Sequence, residues 1–518
     1  MSAHRAVRGG FFEFRMKELD CKAAIARLAS QYCDGRLSRR DFLRRCATLG
    51  IGFSAAASAA LLSPRPWHRV LSAAEAQPAA GNAMQTWLRE VGAPFRGSTV
   101  RMVTETTPPS VVINQLAQQE FTPLTGIDVQ IELLPLERVL QRTSLDVANQ
   151  TGLYDIYYLD QSWIARFSGD TLDPREKYSA SPDLAMPDYD WDDLLPALVD
   201  GISMYRGKMV GIPFDIPLFI MFYRRDVFEE LGLHVPTTLN EYLHVVRTIQ
   251  AAKAPDVFGT TGQMKAGHYS LNCEWTAWLW ANGGSVFDAD GYFAGGDPQG
   301  LAGLDYLTRL HENMPAYVDS WTWDGESQSI LQGLAGVALT WGELFPATDD
   351  PSKSLVPGLV EAAPPPRARS LRPAAEAGFG EIPNIGHQGG SALALSRSST
   401  RQDAAWIFLQ WATSREVQTR ASLAGGGASP TRASVFDDPA IREAATVQAG
   451  TTRHFAAIRQ TINTAMGSEP ALPSWPEISN GVIPTELGRY FAGQHKSPAA
   501  AMAAIKVEAD RLAAPYRA

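Results

Sequence analysis

The sequence predicts an α/β fold in which mostly parallel β-sheets are flanked by helices. Short apolar segments alternate with amphipathic helical segments between residues 99 and 163, which is typical of βαβ units. The length of 518 residues exceeds one ordinary hydrophobic core, so we expect two or three domains. Pro213 and Pro217 interrupt two apolar segments. Because proline cannot donate to a central strand ladder, they indicate a break between two ordered pieces.

Composition narrows the class of protein. An apolar content of 45% and a charged content of 19% are those of a globular chain. A net charge of −9 argues against nucleic acid as a partner. The 13 tryptophans favour a site that stacks on flat ligand faces. Cys273 stands alone after residue 46 and no cysteine spacing matches a zinc site, so the sequence predicts no disulfide in the mature chain, no metal and no cofactor.

The N-terminal segment, residues 1–76, predicts an export signal. The motif SRRDFLR at residues 38–44 precedes a weakly apolar segment of small residues at 47–62, a pattern typical of the twin-arginine route. Residues 74–76, AEA, fit a cleavage site with Gln77 as the first mature residue. The alternative is an amphipathic N-terminal helix of a cytoplasmic protein. Export by the twin-arginine route implies a folded, soluble protein in the periplasm.

The first part of the mature chain alternates strands and helices. Strands are expected at residues 99–103, 127–133 and 155–159, and helices from Pro108 and over residues 139–147. In parallel sheets, ligands bind beyond the carboxyl ends of the strands. Glu105, Asp160 and Trp163 follow such ends, so they are candidate ligand contacts.

The segment at residues 207–249 organises the middle of the chain. It passes from an apolar strand through an irregular segment that holds Asp215, and then into a second apolar strand at residues 218–223 and two helices. A carboxylate in that position is either a surface-loop residue or a ligand contact, and the local sequence leaves both open. Thr238 and Glu241 predict a capping box at the start of the second helix.

The later elements follow from similar local signals. Helices are expected at residues 271–280, 301–310 and 400–417 and from Ser497 onward. Residues 333–343 are expected to form a helix end, a turn and a buried strand, and a short strand is expected at residues 392–396. Trp321 and Trp323 are placed in a loop, and residues 351–383 are placed in a longer one. Trp341 and Glu343 lie at the carboxyl end of a buried strand.

The motifs of common enzymes are missing from the sequence. It contains no Walker loop, no G-x-S-x-G and no H-E-x-x-H. His268 and His387 are interpreted as polar loop histidines. Glu105, Asp160, Asp215 and Glu343 could supply a glycosidase carboxylate pair. They equally suit a non-catalytic carbohydrate site, where carboxylates accept hydrogen bonds from hydroxyls and indoles pack on the sugar ring.

Seven segments stand in the order found in one known family. They are YDIYYLDQSWIARFSGDTLDP (154–174), GKMVGIPFDIPLFIMFYRRDVFEELGL (207–233), WLWANGGSVFD (278–288), GLAGVALTWGELF (333–345), GGSALALSRSSTRQDAAWIFLQWATSREVQ (389–418), SPTRASVF (429–436) and SPAAAMAAIKVEADRL (497–512). With these segments the chain resembles the extracellular solute-binding proteins of ABC importers, family 1, the group of maltose- and sugar-binding proteins.

The resemblance implies a two-lobed periplasmic-binding-protein fold of the type II kind, with a mostly parallel sheet in each lobe and a ligand cleft between the lobes. Lobe 1 would comprise residues 99–212 plus 389–428, and lobe 2 residues 213–387 plus 429–518. The implied function is that of a monomeric, non-catalytic component of an ABC importer. It would capture a sugar, oligosaccharide or polyol and deliver it to the transmembrane subunits of a permease.

Together with the strand-end positions, the resemblance implies a site of eleven residues. They are Glu105, Asp160, Trp163, Asp215, Tyr269, Glu274, Trp278, Trp341, Glu343, Gly389 and Trp475. Glu343 stands where the maltose-binding type has a tryptophan, with Trp341 two positions earlier. Two other functions stay open: the same scaffold binding a polyamine or another cationic solute, and an exported carbohydrate-active enzyme.

Overall fold

A computed structural model describes residues 83–366, 386–387, 389–424, 430–445, 452–464 and 466–517. The fold below belongs to the compact unit Gln77–Ala518. The predicted twin-arginine motif and cleavage site lie outside the described residues. Within the described part of the chain, no helix has both the length and the apolarity needed to span a bilayer.

The strands are numbered along the chain. They are β1 Thr99–Glu105, β2 Asp128–Leu134, β3 Ile156–Asp160, β4 Met204–Tyr205, β5 Lys208–Met209, β6 Ile212–Asp215, β7 Phe219–Arg224, β8 Val337–Trp341, β9 Val360–Ala363, β10 Gly386–His387, β11 Ser391–Leu395 and β12 Met466–Gly467. The α-helices before β8 are Ala83–Gly92, Pro108–Leu116, Thr122–Thr125, Leu136–Asn149, Ile164–Phe167, Pro174–Ala180, Pro196–Ile202, Arg225–Leu231, Leu239–Lys253, Tyr269–Ala281, Pro298–His311 and Trp323–Leu331. Those after β8 are Phe345–Asp349, Gln402–Ala412, Arg415–Leu423, Ala433–Phe436, Pro439–Ala444, Phe455–Thr464, Trp475–Glu477, Ile483–Phe491 and Pro498–Ala513.

The larger sheet has five strands in the order β2-β1-β3-β11-β6. β1 pairs in parallel with β2 and β3, whereas β11 is antiparallel to β3 and to β6. Four strands therefore run in one direction and only β11 runs in the other. This is the mostly parallel, helix-flanked sheet that the strand and helix alternation predicts.

The second sheet differs from the prediction. It has three strands in the order β8-β7-β9, and both pairs are antiparallel. The expectation of a mostly parallel sheet in each lobe is therefore wrong for this one. The reason is the direction of β7, which follows the β6 crossing and leads away from the larger sheet. β8 runs in the opposite direction, so its last residue, Trp341, lies opposite Phe219, the first residue of β7.

The crossing segment is more ordered than the prolines suggested. β6 spans Ile212–Asp215 and pairs with β11, so Asp215 ends a strand rather than lying in an irregular break. Pro213 is accommodated because β6 is the edge strand of its sheet, where a missing N–H donor breaks no ladder on the open side.

Three further expectations need correction. The predicted helix at 400–417 is two helices, because Ser414 caps the second one with its side chain accepting from Val417 N. β9 lies inside the segment expected to be loop, since its residues find a partner in β7. Trp323 begins a helix rather than lying in a loop, and the side chain of Thr322 caps that helix by accepting from Asp324 N.

Other local predictions are confirmed. Thr238 Oγ1 accepts from Glu241 N at 3.2 Å, and Glu241 Oε2 accepts from Thr238 N at 3.1 Å, which is the predicted capping box. The last helix begins at Pro498, and Ser497 caps it. Both signals act within one helical turn, so sequence alone can reveal them.

The helix Pro298–His311 packs closely on the helix Tyr269–Ala281. A Cβ added at Gly303 would lie 2.8 Å from Leu279 Cα and 3.0 Å from Trp278 O, both backbone atoms. We expect Gly303→Ala to lower the free energy of unfolding by about 1–3 kcal/mol, because the helices must separate. Urea denaturation measures this loss. Gly169→Ala is the control, since a Cβ there meets no atom within 4 Å; equal stability of the two variants would contradict the prediction.

Candidate ligand-binding site

The ends of β3, β6 and β11 place two carboxylates in one row. Ser391, the first residue of β11, is the register partner of both Asp160 and Asp215. Because neighbouring strands lie about 4.8 Å apart, the Cα atoms of the two aspartates are separated by about 10 Å across the sheet. The row lies at the carboxyl ends of β3 and β6, where an α/β sheet binds its ligands.

Asp160 is buried and held by the turn that follows it. Its Oδ1 accepts hydrogen bonds from Ser162 N, at 2.9 Å, and from Ser162 Oγ. Burial raises the pKa of Asp160 to about 6, while the hydrogen bonds from Ser162 and Tyr269 hold it down. Asp160 therefore stays mostly ionised at neutral pH despite its burial.

Asp215 is completely buried, and only one of its two carboxylate oxygens has a hydrogen-bond donor among the described residues. Ser391 Oγ donates to its Oδ1, whereas no described residue donates to Oδ2. The pKa of Asp215 is raised to about 7, mainly by burial. The hydrogen bond from Ser391 lowers this pKa, and the charge of Asp160 raises it. A buried carboxylate oxygen without a donor costs free energy, which a ligand donor can recover.

Glu105 and Glu343 complete the group. Glu105 ends β1, and Tyr158 Oη donates to its Oε2 at a long 3.4 Å. Its pKa is raised well above the usual value by burial and then by the charges of Glu343, Asp160 and Asp215. Burial and then the charge of Asp215 raise the pKa of Glu343 to about 8, and no described residue donates a hydrogen bond to its buried Oε2.

These four residues are called the acidic cluster below. Glu343 follows β8 of the three-stranded sheet, whereas the other three end strands of the five-stranded sheet. The acidic cluster therefore lies where the two sheets approach each other. The structure brings together four carboxylates that the sequence placed at separate strand ends and at the crossing.

A second polar group adjoins Asp160 and centres on Glu469, a residue that the sequence analysis missed. Its carboxylate accepts from Tyr269 Oη at 2.8 Å, from Asn272 Nδ2 at 2.6 Å and from Trp475 Nε1 at 2.6 Å. Burial raises the pKa of Glu469 to about 8, with the charge of Asp160 adding to it. In the sequence, the only sign that Glu469 could belong to the site is its position shortly before Trp475, a residue of the predicted site.

His387 is part of the core, so its interpretation as a polar loop histidine is wrong. Its ring stacks on Trp280 with centroids 5.4 Å apart and meets Trp341 edge-on. Nδ1 lies 3.0 Å from Thr276 Oγ1. Burial lowers the pKa of His387 to about 3, so the ring is neutral. The rings of Trp280 and Trp341, which are distant from His387 in sequence, account for this burial.

Glu274 and Trp278 lie in a third group, inside the tryptophan-rich helix. Trp278 Nε1 donates to Glu274 Oε1 at 3.0 Å, and the Trp278 ring packs on Tyr242 and Tyr306. Burial raises the pKa of Glu274 to about 7. The charge of Glu274 in turn adds to the burial that raises the pKa of Glu326, a second acid missed from sequence.

The other tryptophans of the predicted site differ in exposure. Trp163 and Trp475 are buried, at 1% and 0% exposed, while Trp341 is 9% exposed. Trp341 Nε1 donates to Gln263 Oε1 at 3.2 Å, and its ring packs on Phe219. Trp341 is therefore the one of these three whose ring retains the most access to a ligand.

Gly389 lies just before β11, where the chain returns to the five-stranded sheet, and we call this return the second crossing. Gly389 fixes how that segment passes Trp341. Its N–H donates to Pro217 O at 2.7 Å, and a Cβ there would lie 2.8 Å from Trp341 Cζ3. The structure thus gives Gly389 a packing role between the two crossings, beside the ring.

Cys273, His387 and Glu469 offer a sulfur, a nitrogen and an oxygen within 4.8 Å of one another. This donor set is one that zinc accepts. Three donors already occupy the Glu469 carboxylate, and burial raises the pKa of the Cys273 thiol well above its usual value. A neutral thiol and a saturated carboxylate favour a hydrogen-bonded core here over a metal centre.

The chain is similar to known bacterial proteins over most of its length. Residues 117–449 match a family model described as bacterial extracellular solute-binding protein. A probable amino-acid ABC transporter periplasmic-binding protein of Sinorhizobium fredii is 24% identical over 330 residues, 62% of this chain and 70% of that protein. An erythritol/L-threitol-binding protein of Mycolicibacterium smegmatis is 22% identical over 372 residues, 67% of this chain and 73% of that protein.

A solved structure shows the same architecture. The ABC transporter solute-binding protein of Agrobacterium radiobacter, in complex with ribitol, superposes with a TM-score of 0.70 at 24% identity. The superposition covers 80% of this chain and 99% of that one. This similarity shows a common fold.

Proposed function

This chain belongs to the bacterial extracellular solute-binding proteins, and we propose that it captures a sugar or polyol between its two sheets and delivers it to an ABC importer. The family resemblance and the two-lobed α/β class predicted from the sequence are confirmed. Membership of this family also supports export from the cytoplasm. The matched family consists of solute-binding proteins, which supports a role in binding without catalysis.

The acidic cluster is the observation that carries this proposal. Asp215 Oδ2 and Glu343 Oε2 are buried acceptors without donors among the described residues. A polyhydroxylated ligand supplies several hydroxyl donors at once, and bonds to charged acceptors are the stronger ones. Trp341 lies beside the crossing and offers a ring face for the apolar side of such a ligand.

The names of the relatives point to two ligand classes. One relative is named for erythritol and L-threitol and one structure holds ribitol, whereas another relative is named for an amino acid. An amino acid brings an ammonium group and also a carboxylate, which proteins usually pair with arginine or a backbone N–H. The acidic cluster would repel that carboxylate, so its charge favours a polyol or sugar, with or without an amine, over an amino acid.

The remaining parts of the proposal follow from the sequence analysis. The lobes comprise residues 99–212 plus 389–428 and residues 213–387 plus 429–518, except that residues 213–215 continue β6 of the five-stranded sheet and so belong with the first lobe. Closure about the segments that connect the lobes encloses the ligand. Binding occurs by population shift, without catalysis or a cofactor. A monomer leaves the cytoplasm by the twin-arginine route, and its macromolecular partners are the transmembrane permease subunits rather than nucleic acid.

A thermal-shift screen tests the function. The mature chain from Gln77 is melted with monosaccharides, disaccharides, oligosaccharides, polyols and polyamines. A ligand at about 100 times its dissociation constant adds roughly 2.7 kcal/mol to the free energy of unfolding. We expect at least one sugar or polyol to raise the melting temperature. A panel in which none does would contradict the proposal, and turnover of a glycoside would favour a carbohydrate-active enzyme.

A further inference from the structure

We infer that the ligand carries a protonated amine, as an amino sugar or an amino-polyol does, and that the acidic cluster receives this ammonium group. The inference rests on the proposed function and specifies the class of solute. It goes beyond a neutral polyhydroxylated ligand because the cluster has no cationic partner within the described protein.

The first argument is the missing counter-ion. None of the ion pairs between described residues involves Glu105, Asp160, Asp215 or Glu343. Two other buried acids of the chain have a cationic partner: Asp155 lies 3.1 Å from Arg401, and Asp349 lies 3.0 Å from Arg453. Glu274 and Glu469 instead accept hydrogen bonds from neutral donors. Unpaired charges are costly to bury, so a cation supplied by the ligand would stabilise the ionised forms of Asp160 and Asp215.

The second argument is independent of the charge count. Asp215 is 0% exposed, and its Oδ2 has no hydrogen-bond donor among the described residues. Asp215 ends β6 in the same row as Asp160, with Ser391 as the register partner of both, and its charge raises the pKa of Glu105 and of Glu343. A buried acceptor without a donor in this row is placed to accept from a ligand.

The chemistry of the two donor types then decides between them. An ammonium group has three N–H donors and no lone pair, whereas each hydroxyl brings one donor and two acceptor lone pairs. The ionised Asp160 and the unpartnered Oδ2 of Asp215 accept hydrogen bonds, so the lone pairs of a hydroxyl placed beside them find few donors. A single positive charge also relieves the repulsion that a neutral ligand leaves in place, and this attraction is strong in a site that excludes water.

The test compares matched probes on the mature protein. Erythritol, ribitol and D-glucitol are each titrated calorimetrically at about pH 7.5, where an aliphatic amine is protonated. Each is paired with its 1-amino-1-deoxy derivative and with the N-acetyl form of that derivative. We expect the amine of the best scaffold to bind at least about tenfold more tightly than its neutral and acetylated counterparts.

Two variants assign the preference to the cluster. Glu343→Gln keeps the side-chain shape but prevents this carboxyl from ionising when an ammonium group binds beside it, and it should reduce the ratio between amine and neutral affinities by at least about threefold. Asp437→Asn is the matched control, because Asp437 is paired with Arg442 and Arg459 outside the cluster. The control should leave the ratio unchanged; a reduced ratio there, or an unchanged ratio in Glu343→Gln, would overturn the assignment.

The outcomes separate this inference from the function on which it rests. Neutral polyols that bind as tightly as their amines would overturn the inference and leave the proposed function standing. An N-acetyl form that matches the amine would do the same. A diamine without hydroxyls that binds most tightly would keep the amine preference and reject the sugar or polyol function. Absence of binding by all these probes, and by the sugars of the thermal screen, would reject both.

Discussion

Lowering the pH from about 8.5 to about 5.5 should raise the free energy of unfolding of the unliganded protein by at least about 3 kcal/mol. Burial holds the pKa of Asp160 at about 6, of Asp215 at about 7, and of Glu343 and Glu469 at about 8. Unfolded aspartate and glutamate titrate near pH 4. A carboxyl group whose pKa is raised by folding stabilises the protein below pH 4, and this contribution is lost as the pH rises through 6 to 8.

One group acts in the opposite direction. His387 has its pKa lowered by burial to about 3, so it must stay neutral in the folded protein. Below its unfolded pKa of about 6.5, this costs roughly 1.4 kcal/mol per pH unit. At about pH 5.5 this cost is roughly 1.4 kcal/mol, which is smaller than the summed gain in stability from the four carboxyl groups.

Urea denaturation at about pH 5.5, 7 and 8.5 measures the effect. The double variant Asp215→Asn, Glu343→Gln should have a flatter pH profile, because amides do not titrate. It should also be the more stable protein at the alkaline end, since the mutual repulsion is gone. A wild-type profile that is flat, or that rises with pH, would show that these carboxyl groups are not buried as the structure has them.

Asp215→Asn should weaken binding of the best ligand by about 100-fold, a loss of roughly 3 kcal/mol. The amide keeps the shape of the side chain and an oxygen for Ser391 Oγ, but it removes the charge and places an N–H₂ donor in the site. Because no described residue donates a hydrogen bond to Asp215 Oδ2, replacement of the carboxylate should not lower the free energy of unfolding. Calorimetry and urea denaturation on the same preparation measure both quantities.

Asp155→Asn is the matched control for this prediction. Asp155 is also fully buried, but it accepts from Ser399 Oγ at 2.6 Å and Arg101 N at 2.8 Å and lies 3.1 Å from Arg401. Breaking this pair should cost about 3–5 kcal/mol of stability and leave ligand affinity unchanged. If Asp215→Asn destabilised the unliganded protein to the same extent, Asp215 would be a structural residue; if its affinity were unchanged, Asp215 would not contact the ligand.

Local signals explain what the sequence by itself determined about this protein. The βα alternation, the Thr238–Glu241 capping box and the Ser497 cap each depend on residues within one turn or one strand. The order of the family segments extended these signals to the two-lobed class and the solute-binding family. Parallel strand ends also predicted where Glu105 and Asp160 would lie, because the carboxyl ends of such strands share one edge of a sheet.

Only the tertiary structure decided how the carboxylates meet and which rings are buried. Glu343 joins the acidic cluster from the other sheet, and Tyr269 reaches Glu469 across 200 positions of sequence. His387 loses its charge because Trp280 and Trp341 enclose it. Burial and electrostatic coupling depend on distances in space, and no periodicity in the chain encodes them. The same holds for the antiparallel second sheet, whose pairing follows from the direction in which β7 leaves the crossing.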